Sequence, residues 1–185
     1  MKAKQLWSIP VVADDGSFYG ALSKRSLFEL FEKGLFRGSY EEFIQLPLAE
    51  GVDRRVPALT EQHLFEDALP IIVRYPFVPV VDEANHFLGI LKRKDVELEL
   101  ESAFGMNIAA TRMVIAQYER KGILQEIMST LVKHDANVVS CISFDSKHHG
   151  VRRILTKYKS TESGERIKQD LEQRGFVVTS LLDNH

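Results

Sequence analysis

Apolar and polar positions repeat along the first half of this chain. Ile9-Pro10-Val11-Val12 is a short apolar run, followed by the turn-forming stretch Asp14-Asp15-Gly16-Ser17 and a second apolar run, Phe18-Tyr19-Gly20-Ala21-Leu22. The same order returns as Val78-Pro79-Val80-Val81, Glu83-Ala84-Asn85-His86 and Phe87-Leu88-Gly89-Ile90-Leu91. Both apolar runs recur at one offset, 69 residues, with no gap between them. The register continues into a charged turn, Ser23-Lys24-Arg25-Ser26 against Lys92-Arg93-Lys94-Asp95, and an apolar helix start follows each, Leu27-Phe28 and Val96. Short Val-rich runs predict buried strands. The Asp/Gly/Ser and Asn stretches are turn chemistry. Leu27, Leu30 and Phe31 recur at helical spacing. Each copy therefore predicts strand, turn, strand, helix.

The second copy has more in front of it. Arg55-Val56-Pro57-Ala58-Leu59 predicts a short extended segment, because the residue before a proline is driven out of the helical region. Thr60 is the expected N-cap of a helix running to about Arg74, with Glu61 in its first turn. Subtracting the offset from Val56 places its counterpart before residue 1. The first copy is thus expected to lack its opening strand and most of its opening helix, with residues 1–7 as the tail of that helix and the chain an N-terminally shortened form of a longer design.

Beyond Phe104-Gly105 the period changes. Thr111 to Tyr118 is an extended apolar run and Glu119-Arg120-Lys121-Gly122 a turn. Ile123, Ile127 and Leu131, with Leu124 and Met128, form an apolar helical stripe ended by Asp135-Ala136-Asn137. Val138 to Phe144 predicts a strand, Asp145 to Gly150 a hairpin turn and Val151 to Tyr158 the returning strand. Ser160 to Arg174 predicts a second helix, with Ile167 and Leu171 inward and Gly175 as its stop. Phe176 to Leu182 closes a βαββαβ order, the ferredoxin-like plan.

Composition narrows the function. The 185 residues, 44% of them hydrophobic, suffice for one medium domain or two small ones with a buried core. The net charge of -2 gives no push toward nucleic acid, whose binders neutralise phosphates with a basic surface. Cys141 is the only cysteine, which excludes an intrachain disulfide and a thiolate zinc site. No run approaches the roughly 18 apolar residues of a membrane span. Met1 to Trp7 has no apolar core of signal-peptide type, so cytoplasmic residence is the expectation.

With these elements in place, the chain resembles two families. The repeated strand, helix, strand, strand, helix order carries the signatures Val78-Pro79-Val80-Val81-Asp82 with Gly89-Ile90-Leu91-Lys92-Arg93-Lys94-Asp95. A second pair is Ile9-Pro10-Val11-Val12-Ala13 with Gly20-Ala21-Leu22-Ser23-Lys24-Arg25-Ser26. This resembles the CBS-domain pair over residues 1–104, copy one at about 1–38 and copy two at about 52–104. Lys121-Gly122-Ile123-Leu124 through Asn137-Val138-Val139-Ser140 resembles the ACT domain, over residues 110–183, with Arg120 and Lys121 where that family carries an acidic residue and a proline. The combination is similar to the acetoin-utilisation regulatory proteins. It implies an α+β fold, tandem CBS motifs plus a ferredoxin-like ACT domain.

The CBS resemblance implies an adenosyl nucleotide, AMP, ATP or cyclic di-AMP, in the cleft between the copies. Asp95 is the implied acceptor for ribose hydroxyls, or else a cap in the first turn of the following helix. Lys92 stands where the family has Ser or Thr; it pairs with a phosphate, blocks the usual hydroxyl contact, or is a solvated charge. Ser23 keeps the hydroxyl in copy one, as a phosphate contact or a plain N-cap, while Ser26 replaces the acid there. Val56, Pro57 and Ala58 with Tyr75, Phe77 and Pro79 are the implied walls for the base, or ordinary core. His148 and His149 are read as a solvated turn, since neighbours in a strand point to opposite faces. Cys141 is read as a small core residue. The chain carries no nucleophile elbow, P-loop or His-Glu-x-x-His motif.

The leading expectation is therefore a non-enzymatic regulatory sensor. It would be a homodimer acting on an unidentified regulated protein, without nucleic-acid or membrane partners. The alternatives are an amino-acid sensor at an ACT–ACT interface near Gly122, Ile123 and Asn137, with the CBS pair as a dimerisation scaffold, and a ligand-free interaction adaptor.

Overall fold

The computed structural model describes residues 7–147 and 150–183. The expected helix tail over residues 1–7, apart from Trp7, and the paired His148 and His149 lie outside the described residues. Two compact units divide the chain, Met1–Glu97 and Leu98–His185. No helix among the described residues is long and apolar enough to cross a membrane.

In the first unit, β1 (Ser8–Val12) and β2 (Phe18–Ser23) form an antiparallel hairpin with Ile9 opposite Leu22 and Val11 opposite Gly20. Its turn closes because Gly16 takes φ +85° and donates to the Ala13 carbonyl at 2.9 Å. Helix α1 (Lys24–Glu32) starts from a capping box in which Ser23 and Ser26 satisfy each other's backbone N–H groups. A linker follows, with the single-turn helix α2 (Tyr40–Phe43) and the short strand β3 (Val52–Asp53), which adds to β2 with Ala21 opposite Asp53.

The second sheet combines β4 (Leu59–Thr60), parallel to β5 (Phe77–Val81), with β6 (Phe87–Lys92) antiparallel on the other side of β5. The helix expected from Thr60 is different in the structure: Thr60 ends a strand, and only a 3-10 turn (Phe65–Ala68) and α3 (Leu69–Ile72) are helical. Two local contacts delay it. The Thr60 N–H donates to His63 Nδ1 at 3.0 Å, and Asp67 caps the Leu64 N–H at 2.9 Å. Pro70 then occupies the first turn of α3, where a missing N–H costs nothing. Helix α4 (Arg93–Ala103) follows β6, and the boundary between the units falls within it.

The repeat in the sequence is a repeat in space. Ser17 bridges His86, its counterpart at the 69-residue offset. Phe18 N–H donates to Asn85 O and Phe87 N–H to Gly16 O, both at 2.9 Å. The same exchange relates Lys24 N–H on Trp7 O to Arg93 N–H on Pro76 O, both at 3.3 Å. Phe18 and Phe87 stack with centroids 6.0 Å apart. Each contact maps onto its partner when the copies are swapped, so a local two-fold axis passes between Ser17 and His86. A small core of Ala21, Val56 and Phe77, flanked by Phe18, Tyr75 and Ile90, joins the copies.

The second unit consists of β7 (Thr111–Tyr118), α5 (Ile123–Lys133), β8 (Asn137–Asp145), β9 (Val151–Lys159), α6 (Gly164–Gln173) and β10 (Val177–Leu182). The sheet order β10-β7-β9-β8, antiparallel throughout, is the ferredoxin-like arrangement. Met113, Ile115, Ile127, Leu131, Ile154, Tyr158, Ile167 and Leu171 form its core between sheet and helices. Helix α6 begins later than expected: Ser160 is held out of it by donating to the His134 carbonyl at 2.8 Å and accepting from Glu162 N–H at 3.0 Å. The Asp183 carboxylate instead receives the Gly164 N–H at 2.8 Å, where the helix starts. Cys141 is exposed on β8, which is an edge strand, so the expected core position is corrected.

Candidate ligand cleft

The two-fold decides which residues meet. Ser23 and the start of α1, from copy one, face the segments Asp53 to Val56 and Val73 to Phe77, from copy two. Between them lies a cleft of about 680 Å³, within the size range of small-molecule sites. One side is apolar, with Ala21, Val56 and Phe77 buried and Tyr75 half-buried. The remainder is charged: Lys24, Arg25, Arg55 and Arg74 against Glu29 and Asp53.

These charges are partly matched within the protein. Asp53 accepts from Arg55 through Nε at 2.8 Å and a terminal nitrogen at 3.1 Å, and this hydrogen bonding holds its carboxyl below the usual range. Glu29 accepts from Lys33 at 2.8 Å and Arg25 at 3.1 Å, and these contacts likewise depress it. Lys24 lies over the Trp7 ring, 4.5 Å from its centroid. Arg74 has no ion-pair partner among the described residues. The cleft therefore presents more cationic than anionic groups, and it holds the electropositive N-terminus of α1. The Ser23 hydroxyl accepts from Ser26 N–H at 2.9 Å and keeps its own proton to donate.

Of the residues singled out from sequence, Ser23, Val56, Tyr75 and Phe77 line this cleft. Pro57, Ala58 and Pro79 do not; Pro57 is exposed and Pro79 is buried within β5. Lys92 and Asp95 also stand apart from it, at the exposed start of α4, where Asp95 accepts the Lys92 N–H at 3.1 Å and acts as a cap. Asp95 and Val56 are not brought together in this cleft, where the signature of copy one meets the opening segment of copy two. Lys24, Arg25, Glu29, Asp53, Arg55 and Arg74 were not singled out. The signal for the first two is two cations at a helix N-terminus with no acid in its first turn.

A second, shallower hollow of about 450 Å³ lies in the ferredoxin-like unit at the start of α5. Gly122, in the left-handed region at φ +86°, and Ile123 line it. Asn137 does not; it pairs with Lys159 at the sheet edge. Arg120 grips Glu126 at 2.5 and 2.7 Å, and Arg152 holds Glu119 at 3.2 Å.

A repeat module with a cleft between two-fold-related copies is the class that fold and site define. The profile of the CBS domain family matches residues 49–101. No curated protein matches the chain. Among solved structures, CbpB from Streptococcus agalactiae is 24% identical, with 56% of this chain and 65% of that one covered and a TM-score of 0.48. The chain thus spans less than two thirds of that relative. CbpB in complex with c-di-AMP is 25% identical, with 55% and 66% covered and a TM-score of 0.46. A conserved hypothetical protein from Geobacillus kaustophilus is 26% identical, with 54% and 74% covered and a TM-score of 0.47.

Proposed function

We propose that the chain is a cytoplasmic regulatory sensor that binds an adenosyl nucleotide, AMP, ATP or cyclic di-AMP, in the cleft of its first unit. The carrying observation is the cleft's division into an apolar side and a cationic side at a helix N-terminus. In this reading the base packs on Val56, Tyr75 and Phe77. The phosphates lie at the start of α1, near the Ser23 hydroxyl, Lys24, Arg25 and Arg74. Binding favours one arrangement of the copies by its differential affinity. The ferredoxin-like unit, acting as an ACT domain in a homodimer, passes that preference to a regulated protein.

The test is isothermal titration with AMP, ATP and cyclic di-AMP on the full chain and on Arg74→Ala. Saturable binding that the substitution weakens about tenfold supports the site, as expected for a lost charge-assisted hydrogen bond. Binding that Arg74→Ala leaves unchanged places the nucleotide elsewhere, and no heat with any of them removes the nucleotide reading. The second reading, an amino-acid sensor, is favoured by the hollow at Gly122 and Ile123, with Arg120 and Arg152 beside it. Stabilisation by amino acids and not by nucleotides in a thermal shift would put it first.

A further inference from the structure

The two copies carry an acidic residue at different places. Copy two has Asp95 and, three residues on, Leu98; copy one has Ser26 at the place of Asp95 and Glu29 at the place of Leu98. Positions three apart share one side of a helix, and Ser26 and Glu29 both line the cleft.

A ribosyl ligand enclosed there brings vicinal hydroxyls, and each buried hydroxyl needs an acceptor. The Ser26 hydroxyl donates to the Ser23 carbonyl at 3.0 Å and accepts the Ser23 N–H at 2.9 Å, which leaves one neutral acceptor site. Asp53 accepts three hydrogen bonds from Arg55, the backbone N–H at 3.0 Å and the guanidinium at 2.8 and 3.1 Å, which leaves about one site. Glu29 accepts one hydrogen bond on each oxygen, from Arg25 at 3.1 Å and Lys33 at 2.8 Å, and Arg55 stands off at 3.8 Å. An ionised carboxylate has about four lone-pair sites, so Glu29 keeps acceptor capacity facing the cleft.

We propose that Glu29 accepts the sugar hydroxyls of the bound nucleotide, the carboxylate of copy one having moved one helical turn along α1. This rests on the reading of the cleft as a nucleotide site. Glu29 is then the residue that distinguishes ribosyl from deoxy ligands, and its grip is set by Arg25 and Lys33.

The experiment titrates AMP and 2′,3′-dideoxy-AMP into the full chain, Glu29→Gln, and the double variant Ser26→Asp/Glu29→Gln, with melting curves to establish folding. The wild type prefers AMP by about tenfold or more, the worth of a hydrogen bond to a charged group. Glu29→Gln loses that preference while its affinity for the dideoxy ligand is unchanged, and the double variant regains it. If Glu29→Gln does not fold, Glu29→Asp, which keeps the charge and shortens the reach, shows a reduced preference. A preference that survives in the folded variants, or equal weakening of both ligands, overturns the role of Glu29 and leaves the nucleotide site standing. Absence of binding by either ligand to the wild type overturns both.

Discussion

Truncating Phe77 tests whether the two copies are held together as the structure shows. Its ring is 4% exposed and packs with Ala21 of copy one and Val56 of copy two. Losing the buried ring forfeits a transfer term of about 1.5–3 kcal/mol. The cavity adds to it, because backbone hydrogen bonds fix the surrounding strands, and Phe→Ala changes of this kind cost about 3–5 kcal/mol. A small domain has roughly 5–15 kcal/mol in total, so Phe77→Ala leaves the first unit marginal. Phe77→Leu, which keeps most of the volume, should cost under about 1.5 kcal/mol. Urea unfolding followed by far-UV circular dichroism measures both, with an unchanged slope required for the difference to be one of stability. Because the ring also lines the cleft, nucleotide stabilisation should fall in Phe77→Ala beyond the stability loss itself. A cost below about 1 kcal/mol for the alanine variant would refute the reasoning, since it would mean that no packed contact crosses between the copies at this point.

Two further outcomes concern the ferredoxin-like unit. Asp170 is held well below the usual carboxylate range, first by Lys133 at 2.9 Å, then by Arg174 at 3.0 Å and by the buried His134 at 3.0 Å. A depressed folded value stabilises above the unfolded carboxyl value, near 3.9, and that stability is lost as pH falls toward the folded one. Melting temperature should therefore drop below about pH 4, and Asp170→Asn should flatten that acid limb; an unchanged limb would show the contacts to be idle. Gly164→Ala should destabilise by about 1–3 kcal/mol, because its Cβ would meet Leu181 and Thr111 at 3.0 Å; chemical denaturation showing no loss would mean that α6 shifts freely at its start.

Much of the fold was legible because it is local or repeated. The 69-residue offset needed only comparison of the chain with itself, and β7 spans Thr111–Tyr118 as the apolar run implied. The helix expected after Thr60 failed where side chains of His63 and Asp67 competed for backbone N–H groups, a choice that propensity does not foresee. The candidate cleft was half legible for a different reason. Ser23, Val56, Tyr75 and Phe77 could be named from their surroundings in sequence. Their assembly depends on a two-fold that sets copy one's helix start against copy two's opening segment. The charged set behind it, Glu29, Asp53 and Arg55, comes together only through β3 joining β2.

That arrangement also sets the helix start of copy one apart from that of copy two. A helix N-terminus favours acids and disfavours cations, by about 0.3–1 kcal/mol each near the surface. Both copies place cations there, Arg93 and Lys94 at the start of α4 included, but α4 adds an acid in its first turn, Asp95, which caps its own backbone. Copy one has Lys24 and Arg25 at the same end of α1 and no acid in the first turn. Its cap is a pair of neutral serines, which satisfies two N–H groups without adding negative charge. Local energetics therefore leave α1 with a positive end, offset only where Glu29 accepts from Arg25 one turn on, that opens into an apolar-walled cleft. An anion bound there removes the conflict, whereas at α4 the Asp95 carboxylate already occupies that place.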